Sequence, residues 1–418
     1  MSVSTARGQS AQRALVATFF IQGISNTLMI PRVPELIQNI GVQFTTWGLI
    51  IGVAGAGSLI GLLFAAKIIS LWGTRLVVRW GAILAGAGMV SLAFIHNPVI
   101  FFVVQLAMSI AGGSLSVAMN AQALALQKLI GKVIIGRFHG TWSIGAAISV
   151  AVSGALASFL PLTWHFSIVG GLCVISLYLA TMGLLTPEEV GKADAAKTTA
   201  KVPFLKTPMQ VWLLTAGLFA GMFPELCFMD WSAVFAKTEL GVNASLGALP
   251  YTMFGISMII GRLSITRLTK RFHISELSKW GGIFGSITLG AGVVLGPLLA
   301  QGDQILGLIV LTTLWCITGL GMASMVPSFL SGAGYVKGIS TAQALARMNM
   351  VNTIVVIGAK IVMGALAQGV KLQAAFIFPT VMMFIAGFIA HQVAKRAKRE
   401  DAIANAFPMT GSISVVTD

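Results

Sequence analysis

Three ionisable residues stand in apolar stretches of the sequence, where only a membrane or a protein interior would surround them. Glu225 and Asp230 lie five positions apart in one stretch, and Lys360 lies in another. At 1.5 Å per helical residue, Glu225 and Lys360 reach similar depths of roughly 25 Å. A lone charge at that depth is costly, so we expect Lys360 to pair with an acid, with Glu225 as the first choice and Asp230 as the second. Such a pair could exchange a proton, or it could simply fix helix registry.

Other polar side chains indicate an internal cavity. Amides and hydroxyls on a membrane helix avoid lipid, so they should face one another or water. Asn349 and Asn352 share a helix face with Lys360. His139 fits a proton carrier or solute ligand, and it fits equally a hydrogen-bonded histidine near the helix end. The residues predicted to line the cavity are Gln22, Asn26, Asn120, Gln122, His139, Trp142, Ser143, Asn349 and Asn352.

Composition decides the class of protein. Of the 418 residues, 56% are hydrophobic and 9% are charged, and the mean hydropathy is +0.90. Soluble domains carry about 25% charged residues, so this is a membrane protein with many crossings. At roughly 20 residues per crossing, twelve apolar runs can be placed. They begin near Ala14, Thr45, Val77, Pro98, Gly136, Leu162, Pro208, Ser245, Trp280, Gln304, Ala342 and Gln373.

The net charge of +15 follows the pattern of a membrane protein. All but four of the 27 Lys and Arg fall in the tails and in the loops of one side; the exceptions are Arg32, Lys237, Lys360 and Lys371. This asymmetry predicts a multi-pass membrane protein with both termini cytoplasmic. The basic runs are short loops beside helices, so no nucleic-acid partner is expected.

One segment of the chain occurs twice. Residues 60–81 return 200 positions later as 260–281, each an apolar run, a short basic loop and a Trp-Gly that opens the next run. Residues 153–157 return 210 positions later as 363–367. The chain therefore reads as one six-helix module written twice. Arg32 suits an interfacial snorkelling charge or an external gate.

These patterns divide the chain into five parts. They are a cytoplasmic N-tail (1–13), a six-helix bundle (14–185), a cytoplasmic linker (186–207), a second six-helix bundle (208–395) and a cytoplasmic C-tail (396–418) that is expected to be disordered. Cys173, Cys227 and Cys316 lie in apolar runs without the spacing of a metal site or a disulfide. No metal, no Gly-rich phosphate loop and no cofactor are expected.

The chain resembles the major facilitator superfamily between about Ala14 and Lys395. Twelve helices in two halves, a linker between them, and a Gly-plus-basic loop after helices two and eight carry the resemblance. It is similar, more narrowly, to a poorly characterised bacterial inner-membrane branch through the strings WGTR, VAMNAQ, FHGTWSIGA and PELCFMDW. The resemblance implies an all-α fold of two pseudo-symmetric bundles that rock about a central site by alternating access.

The sequence departs from the family pattern at three positions. The loop signature normally has an Asp before its basic residues, and Ser70 and Thr266 stand at those places. The carboxylate that usually helps to latch the cytoplasmic side is thus missing from both copies. The other signature positions still match, and the resemblance implies a gating role for Gly61, Gly73, Arg75, Gly261, Arg262 and Arg267. Gln122 stands where relatives often have an acid, which puts in doubt a proton carrier on that helix.

The expected function is secondary active transport of a small organic solute, coupled to protons through Glu225. The protein should work as a monomer in the lipid bilayer and should not be an enzyme. Two alternatives stay open. A sensor or scaffold of the same fold would fit the missing loop acids, whereas a lipid-modifying enzyme would need clustered acids or histidines at one interface, and the five histidines are scattered.

Overall fold

Long helices make up the fold of this protein. The computed structural model describes residues 5–130, 134–190 and 203–406, and these ranges contain helices and no strand. The long helices are named in chain order. They are α1 (Thr5–Thr27), α2 (44–72), α3 (74–92), α4 (Pro98–Ile130), α5 (Ile135–Leu156), α6 (Leu162–Met182), α7 (Met209–Leu240), α8 (Leu249–Leu268), α9 (Ile274–Ala300), α10 (Gln304–Met322), α11 (Thr341–Gly369) and α12 (Ile377–Ala406).

The helices account for twelve membrane crossings. Ten stretches of the described chain are long and apolar enough to span a bilayer. One of them, Phe44–Leu92, holds both α2 and α3, and α5 adds a further helix of 22 residues. The twelve helices predicted from the sequence are therefore present within the described ranges.

Gly73 forms the turn between α2 and α3. Its φ of 74° and ψ of 156° lie in a region that residues with a side chain avoid. The contacts of α2 and α3 with α4 show that the chain reverses its direction at this turn. Along α2 the contacted residues of α4 have increasing numbers, and along α3 their numbers decrease again. The contacts are Gly57 with Leu106, Gly61 with Ile110, Gly81 with Leu115, and Gly88 with Met108. The short basic loop predicted here is thus a turn at a single residue. The basic residues on either side of it belong to α2 and α3.

Glycine packing shows that the sequence repeat is also a structural repeat. In the N-terminal half (α1–α6) two glycines lie against α4, and in the C-terminal half (α7–α12) two glycines lie against α10. The pairs are Gly61 with Ile110, Gly81 with Ala111, Gly261 with Leu320, and Gly281 with Gly321. The glycines are 200 positions apart and their partners 210 apart, which are the two offsets of the sequence repeat. Small residues at these points let the helix backbones touch.

Aromatic side chains fix α7 among its neighbours. Phe228 stacks on Phe254 of α8 with ring centroids 4.2 Å apart and meets Trp315 of α10 edge-on at 4.5 Å. Phe235 meets Phe376, which precedes α12, at 5.0 Å. In a membrane, helices associate through such close packing because lipid tails are as apolar as the side chains. The rotation of α7 about its axis is therefore set by this cluster.

The bundle has two ends that differ in charge. The basic end holds the start of α1, the turn at Gly73 and the end of α8, and the far end holds the loop Ile30–Ile40 and the connection from α7 to α8. The two halves touch at the far end. A Cβ on Gly48 of α2 would lie 2.7 Å from the Cα of Gly364 of α11. These contacts close the far end.

A cavity lies in the N-terminal half towards the basic end. Its volume is about 520 Å³, and its walls come from α1 and from Thr141 of α5. Gln9, Gln12 and Arg13 supply the polar part of these walls, and Val16, Ala17 and Phe20 lie in the larger apolar part. Because Gln and Arg side chains avoid lipid, we expect the polar side of this cavity to face water.

Both terminal helices extend further than predicted. α1 begins at Thr5, and α12 continues to Ala406, so the described parts of the predicted tails are helical. Residues 395–406 contain Ala, Lys, Arg and Glu with no Gly or Pro, a composition that favours helix over disorder. The rest of those tails, and residues 191–202 of the predicted linker, lie outside the described residues.

Arg7 of α1 binds the segment that follows α6. Its guanidinium donates to both carboxylate oxygens of Glu189, at 2.8 and 2.7 Å, and to the carbonyl oxygens of Gly183 and Leu184. The bonds from Arg7, together with the N–H of Thr186, hold the pKa of Glu189 below its ordinary value.

We expect Glu189→Gln to lower the melting temperature at neutral pH and to have no effect at low pH. Because the folded-state pKa lies below the unfolded value near 4.5, the contribution of Glu189 is complete above 4.5 and is lost as pH falls through the folded value. The pair is partly exposed, so the loss is about 1 kcal/mol. Thermal unfolding of both proteins across this pH range measures it, with Glu239→Gln near the end of α7 as control. A difference that persists in acid would contradict the prediction.

Candidate functional site

The two acids of α7 point in different directions. Five residues along an α-helix correspond to roughly 140° around its axis, so Glu225 and Asp230 point to different sides of α7. Glu225 faces α8 and Asp230 faces α11. The buried Pro224 lies inside α7 and removes one of its backbone hydrogen bonds.

Lys360 of α11 pairs with Asp230. Its Nζ lies 2.6 Å from Oδ2 of Asp230, and the two side chains are 16% and 14% exposed. Glu225 was the first predicted partner, and this expectation was wrong. Both acids lie deep enough along α7 to reach Lys360. The aromatic cluster fixes the rotation of α7 so that Asp230, and not Glu225, lies on the face towards α11. The pair is short and nearly enclosed, as expected for charges that must neutralise each other inside a membrane.

The Asp230–Lys360 pair lies directly behind the contact between the two halves. A Cβ on Gly48 would be 2.9 Å from the carbonyl oxygen of Lys360. Trp231 follows Asp230 and meets the ring of Phe44 edge-on at 5.6 Å. The ion pair thus joins α7 to α11. These are the two helices of the C-terminal half that contact α2 at the closed far end.

Glu225 pairs with Arg262 of α8. Nη2 of Arg262 lies 3.3 Å from Oε2 of Glu225, and the side chains are 39% and 25% exposed. Charge-assisted bonds of this kind are usually 2.7–2.9 Å long and often double, so this contact is loose. Arg262 was predicted among the loop gating residues, but it lies inside α8, six residues before that helix ends.

The face of α8 that carries Arg262 borders internal space. The lipid face of this helix is shown by its exposed apolar residues, namely Leu249, Met253, Ile256, Ile260 and Leu263. Tyr251, Gly255 and Arg262 lie roughly 140° around the axis from that face. A Cβ on Gly255 would meet no atom within 4 Å. Since a charged side chain avoids lipid, this open space is the interior between the helices.

The predicted polar residues of α1 bind each other. The amide of Gln22 donates to Oδ1 of Asn26 at 2.8 Å, with Gln22 buried and Asn26 exposed. α5 packs on α1 so closely that a Cβ on Gly23 would lie 2.2 Å from the carbonyl oxygen of Trp142. Trp142 therefore stands at the α1–α5 contact.

Gln122 braces the N-terminal half and does not line the cavity. It is buried, and its amide donates to Oγ1 of Thr74 at 2.8 Å and to the carbonyl oxygen of Leu185 at 2.9 Å. Its carbonyl oxygen accepts from the N–H of Leu185. The prediction that Gln122 faces the cavity was wrong, because the chain after α6 satisfies this amide.

The other predicted residues of α4 and α5 make local contacts. The amide of Asn120 donates to the carbonyl oxygen of Ser116, and the hydroxyl of Ser143 donates to that of His139. His139 is exposed, and its ring meets Phe19 edge-on at 5.5 Å. These bonds do not involve the imidazole nitrogens of His139 or the side-chain carbonyl of Asn120. Both groups can therefore bind another partner.

The two predicted amides of α11 differ in environment. Asn349 is exposed, whereas Asn352 is buried with its amide nitrogen 4.0 Å from Sδ of Met222 on α7. Oδ1 of Asn352 is buried without a hydrogen-bond partner among the described residues. Asn352 therefore faces α7 about three residues from Glu225, and Asn349 borders a more open space.

The predicted gating arginines of the N-terminal half bind their own half. Arg32 is fully buried, donates to the carbonyl oxygen of Leu160 at 2.8 Å and lies 3.2 Å from Glu35. It is thus not a snorkelling charge. Arg75 donates to the carbonyl oxygen of Thr181 at the end of α6. Gly73 is the turn described above, Gly61 and Gly261 are packing sites, and Arg267 is exposed in the last turn of α8.

Comparison with known proteins decides the family. A model of the Major Facilitator Superfamily matches residues 15–339. The chain belongs to this superfamily. It is 25% identical over 373 residues to an uncharacterised MFS-type transporter of Yersinia pestis, which covers 88% of this chain and 92% of that protein. It is 26% identical over 391 residues to an uncharacterised transporter of Sinorhizobium fredii, with coverage of 91% and 96%.

Solved structures show the same fold. The chain matches a variant of the nucleoside transporter NupG with a TM-score of 0.74 at 15% identity, covering 92% of this chain and 99% of that one. An inward-facing bacterial homologue of Spinster gives 0.72 at 14% identity, with 94% and 98% covered. The D-xylose-proton symporter gives 0.68 at 13% identity, with 91% and 96% covered. The predicted all-α major facilitator fold is confirmed, and the protein is a multi-pass membrane transport protein.

Sequence reasoning missed two features of this superfamily member. It did not pair Arg262 with Glu225, and it did not single out Tyr251 on the same face of α8. One signal was available, because Arg262 stands within the apolar run 249–268 and charges in such runs usually have a partner.

Proposed function

We propose that the protein is a secondary active transporter that moves a small organic solute by alternating access, with Glu225 as the proton-binding residue. The observation that carries this proposal is the loose, partly exposed Glu225–Arg262 pair in the middle of the bundle. A carboxylate held by one long bond beside open space can exchange its partner for a proton at small cost. The tight Asp230–Lys360 pair is less suited to this exchange.

The packing of the two halves supports alternating access. They touch at the far end, where glycines of α2 and α11 bring the two helix backbones into contact. The cavity of the N-terminal half lies towards the other end. Backbone contacts of this kind interlock few side chains, so the halves can separate and close again as rigid bodies.

The orientation proposed here follows from the basic end. Lys and Arg concentrate in its loops, and such loops remain in the cytoplasm of bacterial cells. The protein would thus lie in the inner membrane with both termini cytoplasmic, and the structure would be closed on the outside. Among the structural relatives, the nucleoside transporter and the D-xylose-proton symporter carry polar organic solutes by their names, the second with protons, which supports the same class of substrate.

We expect Glu225→Gln to abolish accumulation of solute against a gradient and to leave exchange across the membrane measurable. The amide cannot take up a proton, but the solute path around it stays open. A thermal-shift screen of metabolites at two pH values would identify a solute, and proteoliposomes with an imposed pH gradient would measure its transport. Glu239→Gln, the same change near the end of α7, is the matched control.

Two results would count against the proposal. Unchanged uphill transport in Glu225→Gln would reject Glu225 as the coupling residue. Solute binding without any flux in the wild type would favour the sensor or scaffold, which the missing carboxylates at Ser70 and Thr266 suggest.

A further inference from the structure

The guanidinium of Arg262 has hydrogen-bond donors that are not used within the described part of the chain. A guanidinium has five N–H donors in a planar fork. Within the described part of the chain, the contact of Nη2 with Glu225 at 3.3 Å is its one hydrogen bond. The rest of the fork has no hydrogen-bond partner within that part of the chain, and the Arg262 side chain is 39% exposed on the face of α8 that borders the internal space.

The charges around this space favour an anion of low charge. Lys360 is occupied by Asp230 at 2.6 Å, so it cancels that carboxylate. Arg262 and Glu225 likewise cancel each other until Glu225 binds a proton. One positive charge is then left over, which a single negative charge would balance. A phosphate dianion would need a second free cation, and the planar fork of Arg matches the two oxygens of a carboxylate.

We propose that Arg262 binds the carboxylate of a small organic monoanion, which displaces Glu225 from the guanidinium. This inference rests on the proposed function, because it names the class of solute that the same site would carry. Tyr251 lies on the same face of α8 as Arg262, roughly three helical turns away.

The exchange balances protons and charge. The two oxygens of the solute carboxylate accept hydrogen bonds from Arg262, and the contact between Arg262 and Glu225 breaks. Glu225, now without a cation, takes one proton from water on the side to which the site is open. One anion and one proton thus bind together without net charge. When the site opens to the other side, release of the solute lets Glu225 lose its proton and return to Arg262.

The other charged and titratable groups near Glu225 are few. Arg262 and Tyr251 face it from α8, and Asp230 with its partner Lys360 lies further along α7 and on α11. The pair Asp230–Lys360 stays together in both steps. Binding of a carboxylate should therefore take up one proton, and it should tighten as pH falls, by at most about tenfold per pH unit.

The experiment measures binding of three carboxylates and three neutral analogues to the purified full-length protein. The probes are lactate, benzoate and gluconate, compared with lactamide, benzamide and glucose, by thermal shift and titration calorimetry at several pH values. We expect at least one carboxylate to bind and its neutral analogue to bind at least about tenfold more weakly. Arg262→Gln should weaken that carboxylate by a similar factor, Arg262→Lys by less, and the exposed Arg271→Gln not at all.

Glu225→Gln separates recognition from coupling. It removes the competitor for Arg262, so the carboxylate should bind at least as tightly as in the wild type, and its binding should no longer change with pH. The inference is overturned if no carboxylate binds, if acid and amide bind alike, or if Arg262→Gln binds normally. Carboxylates that bind at Arg262 but are never accumulated would reject the transport proposal alone. Accumulation that depends on Glu225 with normal binding in Arg262→Gln would reject the recognition proposal alone.

Discussion

Lys360→Met should destabilise the folded protein by about 3–5 kcal/mol. The change removes the only cation within 4 Å of Asp230 among the described residues and leaves a carboxylate enclosed between α7 and α11. That carboxylate must then either stay charged in an apolar surrounding or bind a proton, and both cost free energy. Thermal and denaturant unfolding of the detergent-purified protein would measure the loss.

A second substitution should restore most of this loss. In the double variant Asp230→Asn with Lys360→Met no charge remains between the helices, so most of the stability should return. Lys67→Met, the same change at an exposed position of α2, is the control and should be nearly neutral. If the single and double variants unfolded alike, the ion pair would not be what stabilises this contact.

Gly48→Leu should abolish transport by holding the far end open. A Cβ at this position meets backbone, at 2.7 Å from the Cα of Gly364 and 2.9 Å from the carbonyl oxygen of Lys360, so α2 and α11 must move apart. The halves could then no longer close this end, and alternating access would stop in one state. Flux in proteoliposomes should fall to background.

An accessibility measurement would show whether the far end has opened. A cysteine placed at Gln368, whose amide oxygen accepts from the N–H of Phe44 across the contact, should react faster with a membrane-impermeant thiol reagent in the Gly48→Leu background. Gly55→Leu is the matched control on α2, since a Cβ at Gly55 meets no atom within 4 Å. Equal loss of flux in both variants would show that the effect is not steric contact between the halves.

The two ion pairs of α7 should serve different functions. Asp230–Lys360 is short, enclosed and placed behind the contact of the halves, and its loss should affect folding. Glu225–Arg262 is long, partly exposed and beside open space, and its loss should affect coupling and recognition. Their separation of five residues on α7 turns them to different neighbours, so one helix can serve both purposes.

Part of the candidate site could be predicted from the sequence. The acids of α7 and Lys360 stand out because charges are rare in apolar runs and are costly there without a partner. Their pairing could not be predicted, since Glu225 and Asp230 lie within one and a half turns of each other and both are deep enough to reach Lys360. The choice follows from the rotation of α7, which the contacts of Phe228 and Phe235 set.

Gln122 shows a similar limit. Its placement among apolar residues correctly indicates a buried amide that needs a partner. Whether that partner is a solute, water or a backbone group depends on which segment lies opposite. Here it is Leu185, 63 positions later in the chain, together with Thr74.

The sequence by itself determined that this is a membrane protein of twelve helices, built from a repeated module and similar to the major facilitator superfamily. Composition, run length and repeats are properties of neighbouring residues along the chain, so they can be read without coordinates. Only the tertiary structure decided which charges meet, which amides are braces, and where the two halves touch. Those outcomes depend on how each helix is rotated and on which helix lies beside it, and packing between residues far apart in the chain determines both.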